Sequence, residues 1–250
     1  MIRVQSQADR PPEPVVTLLL VRHGLTEQTG SVLAGRAPGL HLDVRGTAQA
    51  KDLARRLSGL DLSAVVSSPL ERCRETTAAL AAADGREVVV DDRFVECDYG
   101  EWTGRRLADL AGEPLWRVVQ THPAAARFPS GEGMAEMSYR AVAAVRDWNA
   151  RLARVRSAPA YLVCSHGDVI KAIVADALGL HLDQFQRVQV DPCSLTVIRY
   201  TSTRPFLVRL NDVGESNTAA GLVPDPAAVG GDAAVGGGAG AGAQTGESPR

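Results

Sequence analysis

A histidine attacks phosphorus when its ring is uncharged, cations hold the phosphoryl oxygens and an acid protonates the departing oxygen. This 250-residue chain carries side chains for each duty. Leu18-Leu19-Leu20-Val21-Arg22-His23-Gly24 sets a cation and an imidazole directly after an apolar run. Tyr161-Leu162-Val163-Cys164-Ser165-His166-Gly167 repeats the device. Arg72 lies just past Ser67-Ser68-Pro69, and Glu96 sits in Phe94-Val95-Glu96-Cys97-Asp98-Tyr99-Gly100. A lone histidine at a strand end is ordinarily a structural residue, but this set is what transfer through a phosphohistidine needs. His23 is the candidate nucleophile and Arg22 a group that holds its target, with positioned arginines stabilising the phosphoryl charge. The second ring nitrogen of His23 needs a fixed acceptor, for which a backbone carbonyl near Gly24 is the candidate. Glu96 would protonate the leaving alkoxide and then deprotonate the attacking water. A neighbouring dianion would raise its pKa by like charge.

The elements that must position these groups follow from periodicity. Branched apolar runs over 16–22 and 161–165, with a short one at 64–67, read as buried parallel strands, and 87–90 as another. Helical spacing is visible over 46–57, 70–83, 132–156 and 169–178, with Asp168 as candidate N-cap of the last. Two final strands are expected at 194–200 and 205–210. This alternation predicts an α/β fold, a three-layer α/β/α sandwich with a mainly parallel central sheet. In such sheets ligands bind outside the carboxyl ends of the strands, where Arg22-His23 and His166 fall. Residues 97–130 break the rhythm and read as a small helical cap insertion. One domain is expected over 16–213, after a loosely ordered 1–15. Residues 214–250 are rich in Gly and Ala and too poor in large apolar side chains to offset ordering entropy, so a disordered tail is expected.

A net charge of −2 gives no electrostatic case for nucleic acid or an anionic membrane. Four irregularly spaced cysteines (Cys73, Cys97, Cys164, Cys193) offer neither zinc-ligand spacing nor a disulfide framework. Buried reduced thiols suit the cytoplasm, and the first fifteen residues lack the apolar stretch of a signal peptide. No metal and no cofactor are expected, the partner being a small phosphorylated metabolite. A homodimer is expected from base rates alone.

Leu20-Val21-Arg22-His23-Gly24-x-Thr26, Ser67-Ser68-Pro69-x-x-Arg72-x-x-x-Thr76, Glu96-x-x-Tyr99-Gly100-x-Trp102-x-Gly104 and Ser165-His166-Gly167 together resemble the histidine phosphatase superfamily, the phosphoglycerate-mutase-like clan, over about residues 16–210. The resemblance implies that His23 is transiently phosphorylated and that Arg22, Arg72 and His166 clamp the phosphate. It also implies that Glu96 is acid and base, that His166 acts as an imidazolium, and that no metal takes part. By the same resemblance Thr29, Gly35 and Gly167 are substrate-binding positions. Thr29 stands where many members carry an asparagine, and Ala34-Gly35-Arg36 matches the loop whose amides touch phosphate. Phe128-Pro129-Ser130-Gly131-Glu132-Gly133 resembles a Pro-x-Gly-Glu-Ser motif of the phosphatase branch, with Gly133 for serine.

Other conspicuous residues have plainer readings. Arg74, Arg105 and Arg106 read as solvated or paired, Trp102 and Trp116 as packing within the cap, and Cys73 and Cys97 as inert thiols. The resulting expectation is a metal-independent phosphatase acting on a small phosphomonoester through phospho-His23. Its rivals are a phosphoglycerate-type mutase, which needs a broad basic clamp, and a non-catalytic phospholigand-binding protein, which would not need Glu96. A pH optimum on the acid side of neutral is expected, because Glu96 must start protonated.

Overall fold

The protein is described here by a computed structural model covering residues 15–82 and 85–214. The expectations for residues 1–14 and for the tail from 215 onward lie outside these described residues. A six-stranded sheet runs through the molecule. Its strands are β1 (Val16–Arg22), β2 (Ala64–Ser67), β3 (Val88–Val90), β4 (Ala160–Ser165), β5 (Leu195–Tyr200) and β6 (Pro205–Asp212), in the spatial order β3-β2-β4-β1-β5-β6. The first four in that order are parallel, while β5 and β6 pair antiparallel at the other edge.

Among the described residues there are six α-helices, α1 (Val44–Arg56), α2 (Glu71–Ala82), α3 (Leu107–Leu110), α4 (Pro114–Thr121), α5 (Met134–Ala153) and α6 (Gly167–Ala177), of which α1, α2, α5 and α6 pack on the sheet. Alternate residues of β1 serve two cores, as the two-residue period of a strand requires. Leu18 and Leu20 join the large core with α5 and α6. Leu19 and Val21 join a smaller one with α1 and α2. The three-layer α/β arrangement thus stands as expected.

Register brings the chemistry together. In the parallel pair β1 and β4, Arg22 faces Ser165, so His23 and His166 leave adjacent strand ends side by side. Ser67 faces Cys164 across β2 and β4, which delivers Ser68 to the same edge. The loop after β1 is drawn tightly against α1: a Cβ on Gly46 would lie 2.0 Å from Leu25 O, and one on Gly24 would lie 2.7 Å from Gly46 O. Only glycine tolerates such approach.

The helix starts differ from the sequence expectation by one or two residues, and at α1 and α6 the difference has an identifiable cap. Helix α1 begins two residues earlier, at Val44, because Asp43 is its N-cap and accepts from Gly46 N at 2.7 Å. Asp168 is not the N-cap of α6. That helix starts at Gly167 with His166 at the cap position, so Asp168 is its second residue and fully buried. In the 97–130 segment, α3 and α4 combine with short 3₁₀ turns at Gly100–Trp102 and Pro123–Ala125. Trp102 stacks on Trp116, ring centroids 6.2 Å apart, and meets Phe128 edge-on, so both tryptophans are packing residues as expected.

Candidate active site

Arg22, His23, Arg72 and Glu96 line one pocket at the carboxyl end of the sheet. His23 Nδ1 lies 2.8 Å from Gly24 O, the carbonyl anticipated from the sequence. A carbonyl only accepts, so Nδ1 carries the proton. Nε2 accepts from Arg72 Nε at 3.2 Å, and a guanidinium only donates, so the nucleophilic lone pair sits on Nε2. Burial, followed by the charges of Arg72 and Arg22, holds the His23 pKa well below 6.5. The ring is therefore neutral, as a nucleophile must be.

His166 is wholly buried beside His23, ring centroids 5.3 Å apart. Its Nδ1 accepts from Arg72 Nη2 at 3.2 Å, which leaves Nε2–H to donate to Ser68 Oγ at 2.7 Å. Burial and Arg72 depress its pKa well below 6.5 as well. In the ligand-free protein His166 is thus a neutral imidazole, whereas the imidazolium expected above belongs to the site with a phosphoryl group bound. Three cations and no anion in contact would be too repulsive in a dry site.

Arg72 links the parts. Its Nη2 also donates to Gly35 O at 2.7 Å, whereas its buried Nη1 has no hydrogen-bond partner. A buried unpaired N–H beside a nucleophile is a donor suited to an anionic oxygen. Thr76 braces the corner by accepting from Gly24 N and donating to Arg72 O. Arg22 Nη1 is anchored on Val190 O at 2.8 Å.

Glu96 is 3% exposed and accepts from Cys97 N at 2.9 Å. Burial first, and the charge of Asp168 second, raise its pKa to about 8. The rise expected from a bound dianion is therefore already present without one. Three residues not assigned from sequence hold this carboxyl in place. Arg140, on α5, donates to the backbone carbonyls of Arg93, Val95 and Glu96 at 2.7–3.1 Å. Arg36 Nε donates to Glu96 O at 2.8 Å, and both guanidiniums bind Glu132. Glu132 is the glutamate of the segment likened to Pro-x-Gly-Glu-Ser, and its use here is structural. An arginine in mid-helix carries no sequence mark of such a task. Asp168 accepts from Tyr99 Oη at 2.7 Å, and its charge acts on Glu96 from beneath the pocket.

The remaining candidates fall differently. Thr29 lines the pocket, but its hydroxyl already accepts from Thr26 N and bonds Thr26 Oγ1. Gly35 lines it too, with φ +52° and the Tyr99 ring 2.9 Å from where a Cβ would be. Gly167 is buried at the start of α6 and, like His166, is not among the residues that line the pocket. Arg105 and Arg106 are tied to Glu113 and Asp109 within the cap and do not line the pocket. Cys73 Sγ sits 3.5 Å from His166 Nε2, fully buried, and burial drives the Cys97 thiol upward in pKa. Among the described residues no cluster of His, Cys, Asp and Glu is arranged to hold a metal ion.

Comparison with known proteins agrees with this arrangement. The phosphoserine phosphatase 1 of Hydrogenobacter thermophilus is 32% identical over 208 residues, covering 79% of this chain and 92% of that protein. A probable phosphoglycerate mutase GpmB of Enterobacter is 29% identical, covering 77% and 88%. The solved structure of a mycobacterial glucosyl-3-phosphoglycerate phosphatase superposes with TM-score 0.70 at 25% identity, covering 79% of this chain and 99% of that one. The model of the histidine phosphatase superfamily, branch 1, matches residues 18–213, which carry His23, Arg72, Glu96 and His166. The chain belongs to the histidine phosphatase superfamily.

Proposed function

We propose that the protein is a metal-independent phosphatase that hydrolyses a small phosphomonoester through phospho-His23. The observation that carries this reading is the pairing of a neutral His23, its Nε2 lone pair exposed to Arg72, with a Glu96 protonated up to about pH 8. The phosphoryl oxygens bind between Arg22 and Arg72, whose charges do the work that a metal does elsewhere. His23 Nε2 attacks phosphorus as the ester P–O bond breaks, and Glu96 gives its proton to the leaving oxygen. Glu96, now a carboxylate, takes a proton from the water that attacks phospho-His23, which releases phosphate and restores both residues. Free, buried thiols support a reducing compartment, and we place the enzyme in the cytoplasm.

The test is turnover of 4-nitrophenyl phosphate by the purified protein in excess EDTA. Wild type should turn over, and His23→Ala should lose at least a thousandfold in kcat. Activity that survives His23→Ala sinks the phosphohistidine route, and activity lost to EDTA sinks metal independence. The mutase reading is favoured by the name that several relatives carry, but Arg105 and Arg106 are consumed inside the cap. It predicts bisphosphate-stimulated interconversion of phosphoglycerates, which the hydrolytic reading does not.

A further inference from the structure

One part of the pocket lining comes from the loop after β1, which runs alongside the start of the cap. Leu33 N donates to Arg105 O, Gly104 N to Leu33 O and Leu107 N to Ser31 O, at 2.8–3.0 Å. Val32 and Arg106 form a bridge in the same ladder. Val32, Leu33 and Leu107 of this pairing line the cavity, together with Leu40 and Tyr99. The lining holds two cations, Arg22 and Arg72, and both flank the nucleophile. Cations near the wall point elsewhere. Arg36 is bound to Glu132 and to the Glu96 carbonyl, Arg105 to Glu113, and Arg106 to Asp109.

We propose that the leaving alcohol of the true substrate is uncharged and at least partly apolar. A carboxylate or second phosphate on that alcohol would lose water against Val32, Leu40 and Leu107, where the lining offers no side-chain cation beyond the Arg22 and Arg72 that hold the transferred phosphoryl group. The assignment rests on the phosphatase reading and narrows it, in a direction that the names of the three relatives reported above do not suggest. Their phosphoserine and phosphoglycerate esters each carry a carboxylate.

Substrates with leaving groups of similar basicity make the test. Benzyl phosphate, O-phosphoserine and 3-phosphoglycerate all leave as alkanols, so kcat/KM compares the pocket and not the intrinsic chemistry. Benzyl phosphate should be preferred at least tenfold over both acidic esters. Equal or better use of either acidic ester overturns the proposal. If 4-nitrophenyl phosphate and all three esters go untouched, the phosphatase reading itself falls, and the substrate assignment with it. Leu107→Lys, on a half-exposed position, should lower kcat/KM for benzyl phosphate and raise that for 3-phosphoglycerate, changing their ratio at least fivefold. A folded Leu107→Lys protein with an unchanged ratio also overturns it.

Discussion

Burial holds the Glu96 carboxyl protonated to about pH 8, and the charge of Asp168 adds to that push. Burial and two guanidiniums keep His23 unprotonated well below pH 6.5. Acid and nucleophile are thus both ready through the neutral range, which widens the acid-side optimum expected from sequence. On the alkaline side, kcat/KM should fall as pH rises through about 8, because the free enzyme then loses the Glu96 proton. Asp168→Asn removes the like charge, so the carboxyl ionises more readily and that limb should move to lower pH, by about half a unit to one unit. A pH–rate profile with 4-nitrophenyl phosphate reads this directly. A limb that stays in place would mean that Glu96 does not sense Asp168.

At the scale of elements, the site depends on how closely the loop after β1 can approach α1. Gly46→Ala puts a methyl 2.0 Å from Leu25 O, and backbone must move to admit it. The loop carries Gly24, whose carbonyl fixes the His23 tautomer and whose amide rests on Thr76. Gly46→Ala should therefore lower kcat by at least tenfold and reduce thermal stability, checked by kinetics beside a melting curve. A fully active, equally stable variant would show that the approach is not needed. The strand ends were legible beforehand because β1 and β4 are continuous apolar runs, and such runs say where they stop. His23, Arg72, Glu96 and His166 were legible because each sits at such a stop or in a motif. What could not be read was lateral. Arg140, Arg36, Ser68 and Tyr99 act through contacts 44 to 98 residues away in sequence, which no local pattern encodes. Asp168 was misplaced for a related reason, since the helix began one residue before it.

Across the whole molecule, the buried titratable groups give stability a pH signature. Glu96 has a folded pKa of about 8, above the ordinary glutamate value of 4.5. Its contribution is fully present below about 4.5 and is lost as pH rises through about 8. His23 and His166 have depressed pKa values, so their contribution is present above 6.5 and lost as pH falls. Glu96→Gln removes only the first of these. Its melting temperature relative to wild type should climb between pH 5 and pH 9, by about 2–4 °C for each kcal/mol of relief. Scanning fluorimetry across that range checks it, and an offset independent of pH would count against ionisation of Glu96 in the fold.

The ladder between residues 31–33 and 104–107 has a consequence beyond this one enzyme. The groups that break the ester hang mainly from the strand ends of the sheet and from α2, whereas those that face the alcohol hang from two segments paired to each other. Natural selection can redraw the second set while leaving the first intact. A lineage built on this plan can change diet without relearning how to digest.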